Sequence, residues 1–299
     1  MQDYHLLPKL RDSLSYLYVE HAVIERSANA LLIRQETGST TVPVANLCLL
    51  LLAPGTNITH AAVSLLAENG CSIIWVGQDT QLFYAQGMGE TRRASHIIRQ
   101  AQMMCDPQKR LQVVLRMYEK RFGYALDPDL GLEQIRGMEG VRMRTAYQEA
   151  SRKFGVEWQG RNYDCKDWYK GDPINRALSA ANAVLYGLCH AGIVSGGYSP
   201  ALGFLHTGRQ LSFVYDIADL YKTSYTIPVA FQTVSESDVQ VERRVREACR
   251  ETFRQEKLLE KILPDIDFLL QIPEGPEVDE NFYALPMLDL LWQPEAQEE

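Results

Sequence analysis

The sequence predicts an α+β protein, with a small N-terminal β-rich domain followed by a larger all-helical lobe. Three observations predict it. Short apolar runs separated by polar turns fill the chain to about residue 87. A Gly-rich joint, "GMGET", covers residues 87–91. Beyond it, apolar residues recur every three or four positions. The expected division is a strand domain with one short helix over 1–87, a linker over 88–91, a helical domain over 92–270, and an acidic, Pro-containing, flexible tail over 271–299.

Each element has its own signal. "SYLYV", "ALLIR" and "NLCLLLL" are β-rich or apolar, and polar stretches such as "QETGSTT" read as the turns between them. "THAAVSLLAENG" reads as a helix with Thr59 as its N-cap and Gly70 as its stop. "CSIIWVG" and "QLFYAQ" supply two more strands. After the joint, Ile97, Ile98, Ala101 and Met104 share one helical face, as do Leu111, Val114, Leu115 and Tyr118. "DLGLEQIRGMEGVRMRTAYQEASRKFG" is an amphipathic run closed by Gly155. "GDPINRALSAANAVLYGLCHAGIVSGG" carries Asp172 as cap, Pro173 in the first turn and two closing glycines. A last long helix is expected over about 239–270, with Arg243, Arg246, Arg250 and Arg254 on one face.

Composition narrows the function. A chain of 299 residues that is 46% hydrophobic buries a sizeable core. No apolar run approaches the ~20 residues of a membrane span, so no membrane partner is expected. The six cysteines are widely spaced, with no CxxC pair, and read as reduced thiols of a cytoplasmic protein. The net charge of −8 is unevenly distributed. From Gln255 onward there are two lysines against 12 acids, a net of −10. Between Thr91 and Arg176 there are 17 Lys and Arg against 11 acids, a net of +6. That basic middle reads either as scattered surface arginines or as a groove for a polyanion.

Three stretches carry chemistry. In "GFLHTGRQLSFVYDIADLYK", Ser212 can cap a helix, Asp216 and Asp219 stand at i and i+3, and His206 lies on the turn before them. A histidine with two carboxylates among apolar residues suits a hard divalent cation, Mg²⁺ or Mn²⁺. The same spacing also fits a satisfied core histidine beside two cap or surface aspartates. In "RGMEGVRMR", Glu139 sits between Gly137 and Gly140 on a helix, ringed by Arg136, Arg142 and Arg144. Each helical glycine costs roughly 1 kcal/mol relative to alanine, so close approach of a backbone or ligand is expected there. An ordinary i,i+3 ion-pair face is the alternative. Read together, the two stretches suggest a metal-assisted phosphodiester site. In "WQGRNYDCKDWYKGD", Trp158, Tyr163, Trp168 and Tyr169 interleave with Arg161, Lys166 and Lys170. Bases could stack on these rings while the cations track phosphates, or the rings could pin the loop to the core.

"RGMEGVRMRTAY", "RNYDCKDWYKGDPIN", "LYG" and "GFLHTGRQLSFVYDIADLYK", in this order, resemble the integrase of CRISPR adaptation, the CRISPR-associated protein numbered one, and within it the type I-E branch. The likeness runs from about residue 10 to 265. The resemblance implies a helical catalytic lobe with metal ligands Glu139, His206 and Asp219, and Asp216 as a supporting acid. It implies DNA contacts from Tyr163, Trp168 and Tyr186, with Arg209 and Lys222 as basic residues beside the ligands. Arg136 and Arg142 join these as candidates for holding the strand. It also implies a homodimer that joins a small partner, the CRISPR-associated protein numbered two, as two dimers around one partner dimer. That heterohexamer takes a short foreign duplex with single-stranded 3′ ends and joins its 3′-hydroxyls to the CRISPR repeat by transesterification. The same site can act as a nuclease.

The sequence departs from the family pattern near its start. His21 stands where a tyrosine braces the duplex end, and Asn57, Ser64 and Leu82 stand where arginines face DNA. Two other functions compete on the residues alone: a metal-dependent phosphodiesterase acting on other nucleic acid, and a non-catalytic nucleic-acid-binding module.

Overall fold

A computed structural model describes residues 15–77, 83–87, 94–161 and 172–272. It bears out the α+β class, with strands first and helices after. The strands are β1 (Ser15–Val19), β2 (Val23–Ser27), β3 (Ala30–Gln35), β4 (Gly38–Pro43), β5 (Leu47–Leu52), β6 (Asn57–Ile58), β7 (Ser72–Val76) and β8 (Phe83–Gln86). Helix α1 (His60–Glu68) lies between β6 and β7. Thr59 caps it as expected, its side chain accepting from the Ala62 N–H at 3.3 Å. The helical lobe holds α2 (Ser95–Cys105), α3 (Pro107–Phe122), α4 (Leu132–Phe154), α5 (Pro173–Ser195), α6 (Ser212–Ala218), α7 (Ile227–Glu236), α8 (Val241–Gln255) and α9 (Leu258–Leu270).

The strands form two four-stranded sheets, ordered β1-β5-β7-β8 and β4-β3-β2-β6. In the first, β5 lies parallel to both β1 and β7. Its run of leucines serves two faces at once. Leu49 and Leu51 join Ile74 and Val76 in the core of the helical lobe. Leu50 and Leu52 join Ile73 and α1 in a second core under the other sheet. A strand buried on both faces needs continuous rather than alternating apolar residues.

Two expectations needed correction. "QETGSTT" is not simply a turn: β4 begins at Gly38 and pairs antiparallel with β3 from Gln35↔Gly38 to Ala30↔Pro43. Only Glu36 and Thr37 turn. β-branched Thr40, Thr41 and Val42 suit a strand once β3 is beside them. The long C-terminal helix is two helices. α8 buries Val241, Val245, Cys249 and Phe253 at a spacing of four, but the next such position is Lys257. The apolar stripe restarts at Leu258, and Lys257 takes φ +50 between the helices.

Helix α5 is the axle of the lobe, with Asp172 capping its start through the Asn175 N–H at 2.7 Å. It is the one helix among the described residues long and apolar enough to cross a membrane, contrary to the estimate from apolar runs, but 72% of that window is buried inside the protein. Gly192 lets α9 approach: a Cβ there would lie 2.7 Å from Ile262 Cγ2. Cys71, Cys105, Cys189 and Cys249 are free thiols, and burial pushes the Cys249 thiol up to about 12. Cys165 lies outside the described residues.

Candidate active site

The site begins with a tight loop. Residues 203–206 curl back over α6, and the buried Asp216 gathers them. Its Oδ2 accepts from the Phe204 N–H at 2.5 Å and the Leu205 N–H at 3.1 Å. Its Oδ1 accepts from the His206 N–H at 2.9 Å and meets His206 Nδ1 at 2.7 Å. Gly203 makes the curl possible, because a Cβ there would run into the His206 carbonyl oxygen and Ser212. Ser212 is the first residue of α6 rather than its cap, a place Leu211 holds, because its hydroxyl turns back to Arg209, accepting from the Arg209 N–H and donating to the Arg209 carbonyl.

This arrangement sorts the two aspartates. Asp216 is fully buried and fixes the loop and the imidazole, whereas Asp219, at the C-terminal end of α6, stays 21% exposed. His206 is half-exposed, and its Nδ1 engagement leaves Nε2 for a ligand. The hydrogen bond to Asp216 raises the imidazole pKa; burial opposes this, and the charges of Asp216 and Asp219 add to the rise.

Glu139 reaches the same place from α4. Arg142, one turn on, grips it with Nε at 2.8 Å and NH2 at 3.0 Å. Its remaining NH1 donates to Thr223 Oγ1 at 2.9 Å, which joins α4 to the π-helical turn Lys222–Thr226 after Asp219. Such turns disturb the regular hydrogen-bond ladder and often accompany functional sites. Lys222 bonds Asp219 Oδ1 at 2.6 Å and lies 5.1 Å from the centroid of the Tyr186 ring. Burial works against its charge, but Asp219 overrides that and holds the ammonium above its usual range. Tyr186 packs edge-on against Tyr215, which in turn packs edge-on against His206.

The structure thus ties His206 to Asp216, and ties Glu139 to Asp219 through Arg121, with Arg142, Lys222 and Tyr186 alongside. It also bears on three expectations. Arg142 and Lys222 each pair with a site carboxylate. Arg121 adds a third cation beside the same acids. Among the described residues, no three His, Cys, Asp or Glu side chains close around an ion position. Finally, no chain atom crowds the glycines beside Glu139: a Cβ on Gly137 would meet nothing within 4 Å. That leaves open space over Gly137.

Arg136 and Arg209 are exposed, and His21 is exposed on the turn after β1 at φ +48. Tyr163 and Trp168 lie outside the described residues. Trp158 is pinned, stacked on Tyr147 at 4.5 Å and edge-on to Phe231 at 5.7 Å. Arg161 is likewise held, by Asn175 and Ser179. Sequence reasoning missed Arg121 and Thr223. Neither had a signal: one is an ordinary basic residue in a helix's last turn, the other an ordinary threonine.

The donor chemistry suits a divalent cation. Two carboxylates and an oriented imidazole are the ligands a Mg²⁺ or Mn²⁺ ion takes, and the Arg121 guanidinium already stands as a cation between the two carboxylates.

Fold and site together define a class: a β-sheet domain feeding a helical lobe that carries an acid–imidazole cluster of enzymatic type. The family model of CRISPR associated protein Cas1 matches residues 15–126 and 118–263, and the chain belongs to the Cas1 family. A CRISPR-associated endonuclease Cas1 of Thermus thermophilus is 58% identical over 260 residues, 87% of this chain and 80% of that protein. The CRISPR-associated endonuclease Cas1 of Escherichia coli K12 is 40% identical over 283 residues, 93% of each chain. A crystal structure of a TtCas1–DNA complex superposes with TM-score 0.79 at 56% identity, covering 89% of this chain and all of that one. A casposase bound to its integration product shares the fold at TM-score 0.54 and 14% identity.

Proposed function

We propose that this Cas1-family endonuclease is the metal-dependent DNA integrase of CRISPR adaptation, of the type I-E branch. The observation that carries the proposal is that Arg121 bridges Glu139 and Asp219 while Asp216, three residues before Asp219, orients the His206 imidazole. In the reaction, the 3′-hydroxyl oxygen of a short foreign duplex attacks a phosphorus at the repeat. A new phosphodiester bond forms, the old P–O3′ bond breaks, and the leaving O3′ takes up a proton, matching the one the attacking hydroxyl gives up, to become a new 3′-hydroxyl. With water as the nucleophile the same site cuts DNA.

A Mg²⁺ or Mn²⁺ ion held by Glu139, His206 and Asp219 would polarise the phosphoryl oxygen and steady the attacking and leaving oxygens. Asp216 keeps Nε2 of His206 directed outward. Exposed Arg136 and Arg209 hold phosphates of the DNA. Tyr186 contacts the DNA end, a role that Tyr163 and Trp168 would share by their match to the family's motif, and His21 takes the bracing position. The helical domain over 92–270 carries the chemistry. Two homodimers would flank a dimer of the small CRISPR-associated protein numbered two, in the cytoplasm, with the CRISPR repeat as target.

The test is integration of a labelled duplex into a repeat-bearing plasmid, with and without that partner. Glu139→Ala, His206→Ala and Asp219→Ala should each abolish joining while DNA binding and fold persist. Joining by all three variants would overturn the site. DNA binding without Mn²⁺ uptake in the parent protein would make it a binding module instead.

A further inference from the structure

Arg121, in the last turn of α3, is the deepest cation of the site. Its side chain is only 4% exposed, against 16% for Glu139 and 21% for Asp219. NH1 lies 3.6 Å from Glu139 Oε1, and NH2 lies 3.4 Å from Asp219 Oδ2 and 3.5 Å from the Asp216 carbonyl oxygen. Its Nε is buried with no hydrogen-bond partner. The Tyr118 ring lies 5.5 Å from its guanidinium carbon.

These distances are long. Charge-assisted N–H···O⁻ bonds run at about 2.7–2.9 Å, and the neighbouring Arg142–Glu139 and Lys222–Asp219 pairs reach 2.8 Å and 2.6 Å. A buried guanidinium with loose pairs and an unmet N–H is expensive by itself. What it does achieve is charge balance between two carboxylates that come from different helices and would otherwise repel across the gap.

We propose that Arg121 is the resident counter-cation of the Glu139–Asp219 pair. It is a positioning residue that keeps both carboxylates facing one space when no ion is bound, and it competes with an incoming divalent cation for Oε1 and Oδ2. The proposal rests on the metal reading above. A loose pair is the form such a competitor should take, because a tightly bonded guanidinium would shut the ion out.

The test is Mn²⁺ affinity of the full-length chain by isothermal titration, together with melting of the metal-free protein. Arg121→Gln should melt at lower temperature without metal and yet bind Mn²⁺ roughly fivefold more tightly, since a fixed positive charge beside the dication is gone. Arg121→Lys, which reaches one carboxylate at a time, should fall between Arg121→Gln and the parent, and it decides the matter if Arg121→Gln does not fold. Equal or weaker Mn²⁺ binding in the variants would overturn the proposal and leave Arg121 a packing residue. No Mn²⁺ binding in the parent protein would overturn the metal reading itself.

Discussion

Nδ1 of His206 lies 2.7 Å from Oδ1 of Asp216, and the same carboxylate holds the backbone N–H groups of Phe204, Leu205 and His206. One buried acid therefore sets both the loop and the ring. Asp216→Asn should weaken Mn²⁺ binding by about 10–100-fold, the usual cost of losing a partner that orients a ligand. The imidazole pKa, read by NMR in the metal-free protein, should fall from its raised value toward or below about 6.5. Because the folded pKa is raised, the stability this pair contributes is full below the unfolded value and is lost as pH rises through the folded one. An unchanged imidazole pKa in the variant would rule out the coupling.

Gly203→Ala should be harmful. Its Cβ would lie 2.7 Å from Ser212 Cβ and 2.8 Å from the Ser212 carbonyl carbon, and it would also strike the His206 carbonyl oxygen. Overpacking of this kind costs about 1–3 kcal/mol. Thermal melts should register the loss, and Mn²⁺ affinity should fall with it as His206 moves.

Gly137→Ala should do the opposite for stability. It lies within α4 with nothing near its would-be Cβ, so alanine should add about 0.5–1 kcal/mol by helix propensity. Urea unfolding measures this. A lower stability would mean that the space over Gly137 is filled.

His190, buried on α5, has its pKa pushed down to about 4 by burial. The folded chain resists a proton that the unfolded chain accepts below its ordinary value of about 6.5. Stability should therefore drop as pH falls from about 6.5 to 4, by up to ~3 kcal/mol, and level off below. Urea unfolding of the parent and of His190→Phe at several pH values checks it: the variant should lose that slope.

DNA affinity should decline steeply with salt, since phosphate contacts by exposed arginines release counterions. Arg136→Ala and Arg209→Ala should each flatten the log–log salt slope by about one unit. Trp158→Ala, by contrast, should destabilise the fold by about 3–5 kcal/mol, because the ring is stacked on Tyr147 and edge-on to Phe231.

The sequence by itself determined the class of fold and the caps of α1 and α5, because these rest on local patterns. Periodicity is set over a few residues and needs no partner. Tertiary structure decided the rest. β4 exists because β3 offers it a ladder, and α8 parts from α9 because their buried faces fall out of phase at Lys257. Within "GFLHTGRQLSFVYDIADLYK", spacing placed Asp216 and Asp219 as equals, and only the fold made one a buried anchor and the other a half-open acid. Arg121, eighteen residues before Glu139 and far from Asp219 in the chain, joined the site solely because α3 packs its last turn between them. Long-range electrostatic partners leave no periodic trace in a sequence, since a charge needs only to be close in space, at whatever separation along the chain.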